Sequence, residues 1–304
     1  LDLRAIGVAP LGLANAVLDP RRIRGTANFD LTVQGRPGLA ALAGTITTND
    51  GQLADPSLGR ALENIEATIR LAGARLDLQL GADASGGGRL DISGPIALSG
   101  GFSSDLAITL RNLVQRDPNL YETTADADLR VNGPLTGGAV ISGTVSLGTT
   151  EVQVPSSDIG TLGDLPSVRH ITPSAGVRQT LSNAGLSLSG GDAVQGDGGG
   201  GARAYPLDIT INAPARIFIR GRGLDAELGG SLRIGGTTGQ VIPAGQFNLI
   251  RGRLDILQQR FALAEGSVTL QGDFVPFLRL VATTNISDGT IVRIIIEGPA
   301  SEPV

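Results

Sequence analysis

The sequence predicts an all-β protein built by adding strands along one axis, with neighbouring strands mostly antiparallel. Three observations lead there. Alternation of apolar and polar residues dominates the chain, placing side chains at i, i+2 and i+4 on one face. One strand-and-turn phrase occurs three times, at Phe29 to Leu53, Leu129 to Val152 and Leu232 to Leu254. The 304 residues include 45 Gly but only 3% aromatics and no Cys, Met or Trp, so Leu, Ile, Val and Ala supply nearly all the apolar material. Compact cores usually draw on aromatic side chains, which bury the most area each. This composition suits a long aliphatic surface better than a globular centre.

The first copy of the phrase runs from Phe29-Asp30-Leu31-Thr32-Val33-Gln34-Gly35 to Gly44-Thr45-Ile46: an alternating strand, a Gly, a polar step and a second Gly opening another strand. Leu129-Arg130-Val131-Asn132-Gly133 leads likewise to Gly143-Thr144-Val145, and Leu232-Arg233-Ile234-Gly235-Gly236 to Gly245-Gln246-Phe247. Gly35 and Gly133 lie 98 residues apart, Gly133 and Gly236 103. A spacing longer than the common solenoid repeats requires several strands per unit. Asp50-Gly51, Asn132-Gly133 and Asp288-Gly289 readily take the positive φ of tight hairpins and predict turns between antiparallel neighbours.

Helical signals are few. Asp55-Pro56 predicts a short helix through Leu58, Leu62 and Ile65, since Pro is tolerated in the first turn. Ser174 to Asn183, with Val177 and Leu181 four apart and Gly185 as a stop, is the second. Gly190 to Ala204, with Gly198 to Gly201 in succession, reads as a flexible loop. It divides a repeat-built sheet segment over 1–189 from a continuing one over 205–304.

Alternation is clearest after Tyr205. Leu207, Ile209 and Ile211 alternate with Asp208, Thr210 and Asn212, and Leu224, Ala226 and Leu228 follow. Then come the pairs Leu232 and Ile234, Phe247 and Leu249, Leu254 and Ile256, Phe261 and Leu263, Val268 and Leu270, and Leu278 and Leu280, with Val292, Ile294 and Ile296 last. The residues from Leu232 onward are the candidate lining of an apolar face whose reverse is polar.

All 24 basic residues are Arg, and 29 acidic residues bring the net charge to -5. That balance argues against a nucleic-acid surface, which needs a basic stripe. The absence of Cys excludes disulfides, thiolate metal sites and cysteine nucleophiles. No apolar run approaches the roughly 20 residues a helix needs to span a bilayer, and no signal peptide is visible. The chain reads as part of a longer protein whose targeting information lies outside it.

Motifs for chemistry are weak. Gly196-Asp197-Gly198-Gly199-Gly200-Gly201 has the GxGxxG spacing, but the next ordered segment is the strand Leu207 to Ile211, whereas a dinucleotide site needs a helix there. Gly221-Arg222-Gly223-Leu224-Asp225 matches one unit of a calcium-binding nonapeptide repeat; without stacked copies it reads as a turn with surface charges. His170 is the single histidine, near Asp164, Ser167 and Ser174, with neither a GxSxG elbow nor an HExxH motif in the chain. Asp126 and Asp128 share one strand face, where paired carboxylates are more often solvated than catalytic. Neither an enzyme nor a cofactor or metal is expected.

The segments Arg216 to Gly230 (RIFIRGRGLDAELGG), Gly245 to Leu254 (GQFNLIRGRL) and Gly298 to Pro303 (GPASEP) resemble the C-terminal region of the TamB family, the large subunits of the bacterial translocation and assembly module. The similarity extends loosely over the whole chain and is densest after Pro206. It implies a long sheet curled into a taco-like trough with a hydrophobic interior, kin to AsmA-like and bridge-type lipid transfer proteins. It also implies a periplasmic protein anchored in the inner membrane by an N-terminal helix. The outer-membrane barrel TamA would be its partner, through regions outside this chain.

A curled sheet whose apolar face lacks a second layer exposes a patch that soluble monomers avoid unless it binds something. Phospholipid acyl chains suit it. At ~0.8 kcal/mol per methylene, a sixteen-carbon chain loses roughly 12 kcal/mol on passing from bilayer to water, and a continuous aliphatic lining recovers much of that. The expected role is phospholipid transport in outer-membrane biogenesis. A variant has the trough shelter nascent outer-membrane proteins, its sheet edge templating them. The contrasting expectation is a structural β-solenoid or adhesin-like passenger with a filled core of stacked, mostly parallel strands.

Overall fold

The structure, a computed structural model, describes residues 2–35, 38–56, 60–117, 119–154, 204–256, 258–285 and 289–300. They form one sheet of sixteen strands that does not close. Its strands are β1 (Asp2–Pro10), β2 (Arg22–Arg24), β3 (Thr26–Gln34), β4 (Leu42–Asp55), β5 (Arg60–Ala72), β6 (Arg75–Ala84), β7 (Arg89–Ala97) and β8 (Ser103–Asp117). They continue as β9 (Tyr121–Pro134), β10 (Val140–Gln153), β11 (Leu207–Gly221), β12 (Leu224–Thr237), β13 (Gln240–Ile256), β14 (Gln259–Gln271), β15 (Phe277–Asn285) and β16 (Ile291–Pro299). Spatial order follows the chain, β1 pairing β3 and each later strand its successor, while β2 continues the line of β3 along the far half of β4.

The pairings are antiparallel except that of β10 with β11. A parallel pair needs a connection that returns across the sheet. Most of that connection, with the helix predicted at 174–183, the loop at 190–203 and His170, lies outside the described residues. The β10–β11 pairing itself joins the two predicted segments into one sheet.

Helical content among the described residues is two 3-10 turns, Leu11–Ala14 and Leu39–Ala41, and one α-turn at Asn15–Leu18. The helix predicted from Asp55-Pro56 is absent: Asp55 ends β4, and Leu62 and Ile65 lie on β5. Leu62 pairs with Leu53 and Ile65 with Gly51, so both face the same side although three residues apart. The cause is a bulge at Asn64, whose φ of 49° reverses the alternation and imitates helical spacing.

Two of the three predicted turns also sit elsewhere. Asp50-Gly51 lies inside β4 at a register shift, with Asp50 accepting hydrogen bonds from the Thr26 N–H (3.1 Å) and hydroxyl. Asn132-Gly133 lies inside β9, and the chain turns after Pro134. In the β15–β16 connection Gly289 has φ 84°, while Asp288 is outside the described residues. A tight two-residue hairpin forms instead at Arg222-Gly223, with φ of 51° and 83°, between Gly221 and Leu224. The segment matched to a calcium repeat is therefore a turn.

The repeat is finer than the spacing of its copies. Leu31 faces Gly44, Leu78 faces Gly94, Leu129 faces Gly143, Leu232 faces Gly245 and Leu278 faces Gly298. These Leu–Gly pairs fall on every third strand junction, so the unit is three strands. A Cβ on Gly44, Gly143 or Gly245 would lie 2.9, 2.8 or 2.8 Å from the Cα of its partner Leu, so only glycine permits the approach. The first two phrases are two units apart; the second and third are one unit plus the segment between β10 and β11.

Candidate functional site

Cross-strand partners share a face, so the registers sort the side chains into two continuous surfaces. On one, Phe29 faces Ile46 and Ile46 faces Ile69, and the series continues through Leu78, Ile92, Ile108 and Leu129 to Val145 with Ile211. The other carries most of the ion pairs. Arg4–Asp30 (2.7 Å), Arg111–Asp128 (2.7 Å), Arg116–Glu122 (2.8 Å) and Arg233–Asp208 (2.9 Å) each bridge neighbouring strands there. Asp128 is thus an ion-pair partner, and Asp126 accepts the Asn112 N–H at 2.7 Å.

The registers bring the predicted lining together on the apolar surface. Ile234 and Leu232 on β12 face Ile209 and Ile211, and Phe247 and Leu249 on β13 face Gly230 and Leu228. Leu254 faces Phe261, Phe247 faces Val268, and Gly245 faces Leu270. Leu263 faces Ala282, Val268 faces Leu278, and Gly266 faces Leu280. Ala282 faces Ile294, Leu280 faces Ile296, and Thr284 faces Val292. Ile256 follows Leu254 by two on the same face and lies at the lip, 43% exposed.

This face is creased along its middle. Register shifts interrupt β5, β8, β10, β11, β13 and β14 near their centres, and a bulge bends the strand that carries it. The residues at the crease are small or tightly buried: Ala82 (0%), Ala127 (3%), Ala213 (0%), Leu228 (3%) and Ala282 (2%). Away from the crease the apolar side chains are half-buried, and no second layer covers them among the described residues. The result is a bent, one-layer gutter lined with hydrocarbon.

Carboxylates on the outer face lock the crease. Asp83 accepts from Asn64 Nδ2 (3.0 Å), Asp126 from the Asn112 N–H, and Glu227 from the Arg216 N–H (3.3 Å). Asn64, Asn112 and Arg216 are the positive-φ bulge residues of β5, β8 and β11, again one per three strands. Glu227, 11% exposed in its side chain, also takes a 2.7 Å bond from Arg251 Nε beside the β13 bulge. The sequence offered a signal for these clasps: an acid one strand after an Asn or Arg that breaks the alternation.

Further ion pairs run across the outer face: Glu151 with Arg220, Arg220 with Asp225 (3.4 Å), Arg253 with Asp225 (2.9 Å) and Arg260 with Asp255 (2.9 Å). Arg220 also stacks 4.9 Å above the Phe218 ring. Hydrogen bonds from Arg4, Arg116 and Arg111 hold Asp30, Glu122 and Asp128 below the usual carboxylate range, and the Thr26 N–H does the same for Asp50. A cleft of about 390 Å³ opens on this face among Arg220, Asp225, Glu227, Arg251 and Arg253, whose charges pair with one another. Among the described residues no group of three His, Cys, Asp or Glu side chains gathers to hold a metal.

A long, unclosed, mostly antiparallel sheet with a hydrophobic inner face is the architecture implied by the resemblance. The model of the TamB C-terminal domain matches residues 77–304, from β6 to the end of the chain. The chain belongs to the TamB family. Members of this family are envelope proteins that serve outer-membrane biogenesis. A comparison with curated proteins finds no match. No helix among the described residues is long and apolar enough to cross a membrane.

Proposed function

We propose that this TamB-family chain carries phospholipid acyl chains along its inner face between the inner and outer membranes. The observation that carries the reading is an apolar face that runs through all fifteen strand positions, with no protein layer over it among the described residues. A sliding acyl chain needs a largely hydrocarbon path with little specificity along most of it, and the lining supplies that most fully from β11 to β16. The protein acts without catalysis, in the periplasm, held to the inner membrane by a segment outside this chain. It works with TamA in the translocation and assembly module, through regions outside this chain. The solenoid alternative requires stacked parallel strands around a filled core; here one pairing is parallel and the face is open.

A photo-crosslinker at Leu249 or Ile256 in cells is expected to capture phospholipid. Protein adducts alone, or none, would refute transport. A second reading, in which the sheet shelters nascent outer-membrane strands, is favoured by the two edge strands. Ile6 and Val8 on β1 are 67% and 65% exposed, Ile291 and Ile295 on β16 66% and 52%. Unpaired edges with apolar side chains are templates for strand addition. A crosslinker at Ile6 or Ile295 that captures unfolded outer-membrane protein would support it.

A further inference from the structure

On the inner face, an apolar cleft of about 280 Å³ opens among Leu53, Leu62, Leu90 and Leu110. Its mouth is charged, for Arg21, Asp55 and Arg60 also line it. Strand parity puts them there: Leu53 pairs with Leu62 and Asp55 with Arg60, so the charged pair stays on the apolar side at the lip. Arg21 Nε donates to Asp55 at 2.7 Å, and the Asp55 side chain is only 12% exposed. Arg60 reaches past the β6–β7 turn and donates from Nη1 to the Val114 carbonyl at 3.3 Å. Two guanidiniums against one carboxylate leave one net positive charge at the mouth. These contacts use one N–H of each guanidinium, and the fork has five.

Charges on an apolar face are costly unless paired or serving a ligand. The inner positions of β11 to β16 carry none among the described residues. We propose that this cleft docks an anionic phospholipid, with one acyl segment among the leucines and the headgroup phosphate on Arg21 and Arg60. A phosphodiester carries a single negative charge, which balances the surplus, and its oxygens suit the planar guanidinium fork. The inference rests on the acyl-carrier reading and adds a headgroup preference at one point of the path.

The test loads the purified chain from detergent with phosphatidylglycerol or with diacylglycerol of the same acyl chains, and counts bound lipid by native mass spectrometry. The wild type is expected to retain phosphatidylglycerol about tenfold better, the scale of one charge-assisted contact. Arg21→Gln with Arg60→Gln brings the ratio toward one. Asp55→Asn, which frees the surplus charge, raises it, a gain that a folding defect cannot imitate. Equal retention by the wild type overturns the headgroup site and leaves the acyl reading standing. Retention of neither lipid overturns both. Displacement of phosphatidylglycerol by glycerol phosphate alone also overturns it, since the site would then recognise a free phosphate ester.

Discussion

The two halves of the gutter share a backbone plan but not a lining. From β11 to β16 the inner face is Leu, Ile, Val, Phe, Ala and Gly, with Pro243 and with Gln259 and Thr284 near one lip. From β3 to β10 the same face also carries Thr48, Gln115, Tyr121, Thr123 and Thr150, besides the charged mouth at Arg21, Asp55 and Arg60. The polar groups there satisfy one another, Thr123 with Thr150 at 2.6 Å and Gln115 with the Tyr121 hydroxyl at 3.4 Å. Fold and lining are therefore separable: bulges and Leu–Gly pairs set the bend, and side chains are free to set what the bend holds.

That separation has consequences that measurement can break. The largest effect is expected where backbones touch. Gly245→Val and Gly143→Val put a side chain against a neighbouring strand in each half, and each should cost about 3 kcal/mol in urea unfolding. A much smaller loss in one half would show that the plan is not shared. Next come the clasps: Glu227→Ala removes a buried acceptor from the Arg216 N–H and should cost about 2 kcal/mol, against about 1 for the more exposed Asp126→Ala.

Leu249→Arg and Leu62→Arg then compare the linings. Both cations can extend toward water, so unfolding should move by only about 1 kcal/mol. Lipid capture should fall several-fold more at position 249, which has no inner carboxylate of its own half to pair with. Equal losses would make the two linings equivalent.

Acid should act first on the earlier half. The lowered carboxylates Asp30, Asp50, Glu122 and Asp128 all lie between β3 and β9. A depressed folded pKa gives stability that is complete above the unfolded carboxylate value and lost as pH falls through the folded one. Hydrogen exchange between pH 5 and 2.5 is therefore expected to rise on β3 to β9 before β11 to β16; a uniform rise would remove the distinction. Smallest of all, Arg220→Ala should leave the urea midpoint nearly unchanged, because exposed ion pairs contribute little.

Much of this was legible in the sequence. Antiparallel order rests on turn dipeptides, two of which lie inside strands, whereas strand type and the apolar stripe after Tyr205 follow from alternation, which reads correctly wherever it is uninterrupted. It broke at bulges. Leu249 and Leu254 are five apart, as are Leu263 and Val268, so each pair read as two strands, whereas β13 and β14 run through with extra residues at Ile250 and near Ala264. Leu62 and Ile65 read as helical for the same reason. The charged mouth was hidden because Arg21, just before β2, meets Asp55 at the end of β4 and Arg60 at the start of β5 only in the folded sheet. Glycines misled twice: Gly51 and Gly133 serve close approach and bulging within strands, with no turn at either dipeptide.

Because a positive-φ bulge recurs on β5, β8 and β11, at every third strand, the sheet is graduated like a ruler. Strands sit roughly 4.8 Å apart, so each whole module inserted or deleted changes the reach by about 14 Å while every bend keeps its phase with the next. Adding one or two strands would misalign the bends. Length can therefore change in discrete steps without redesigning any single strand.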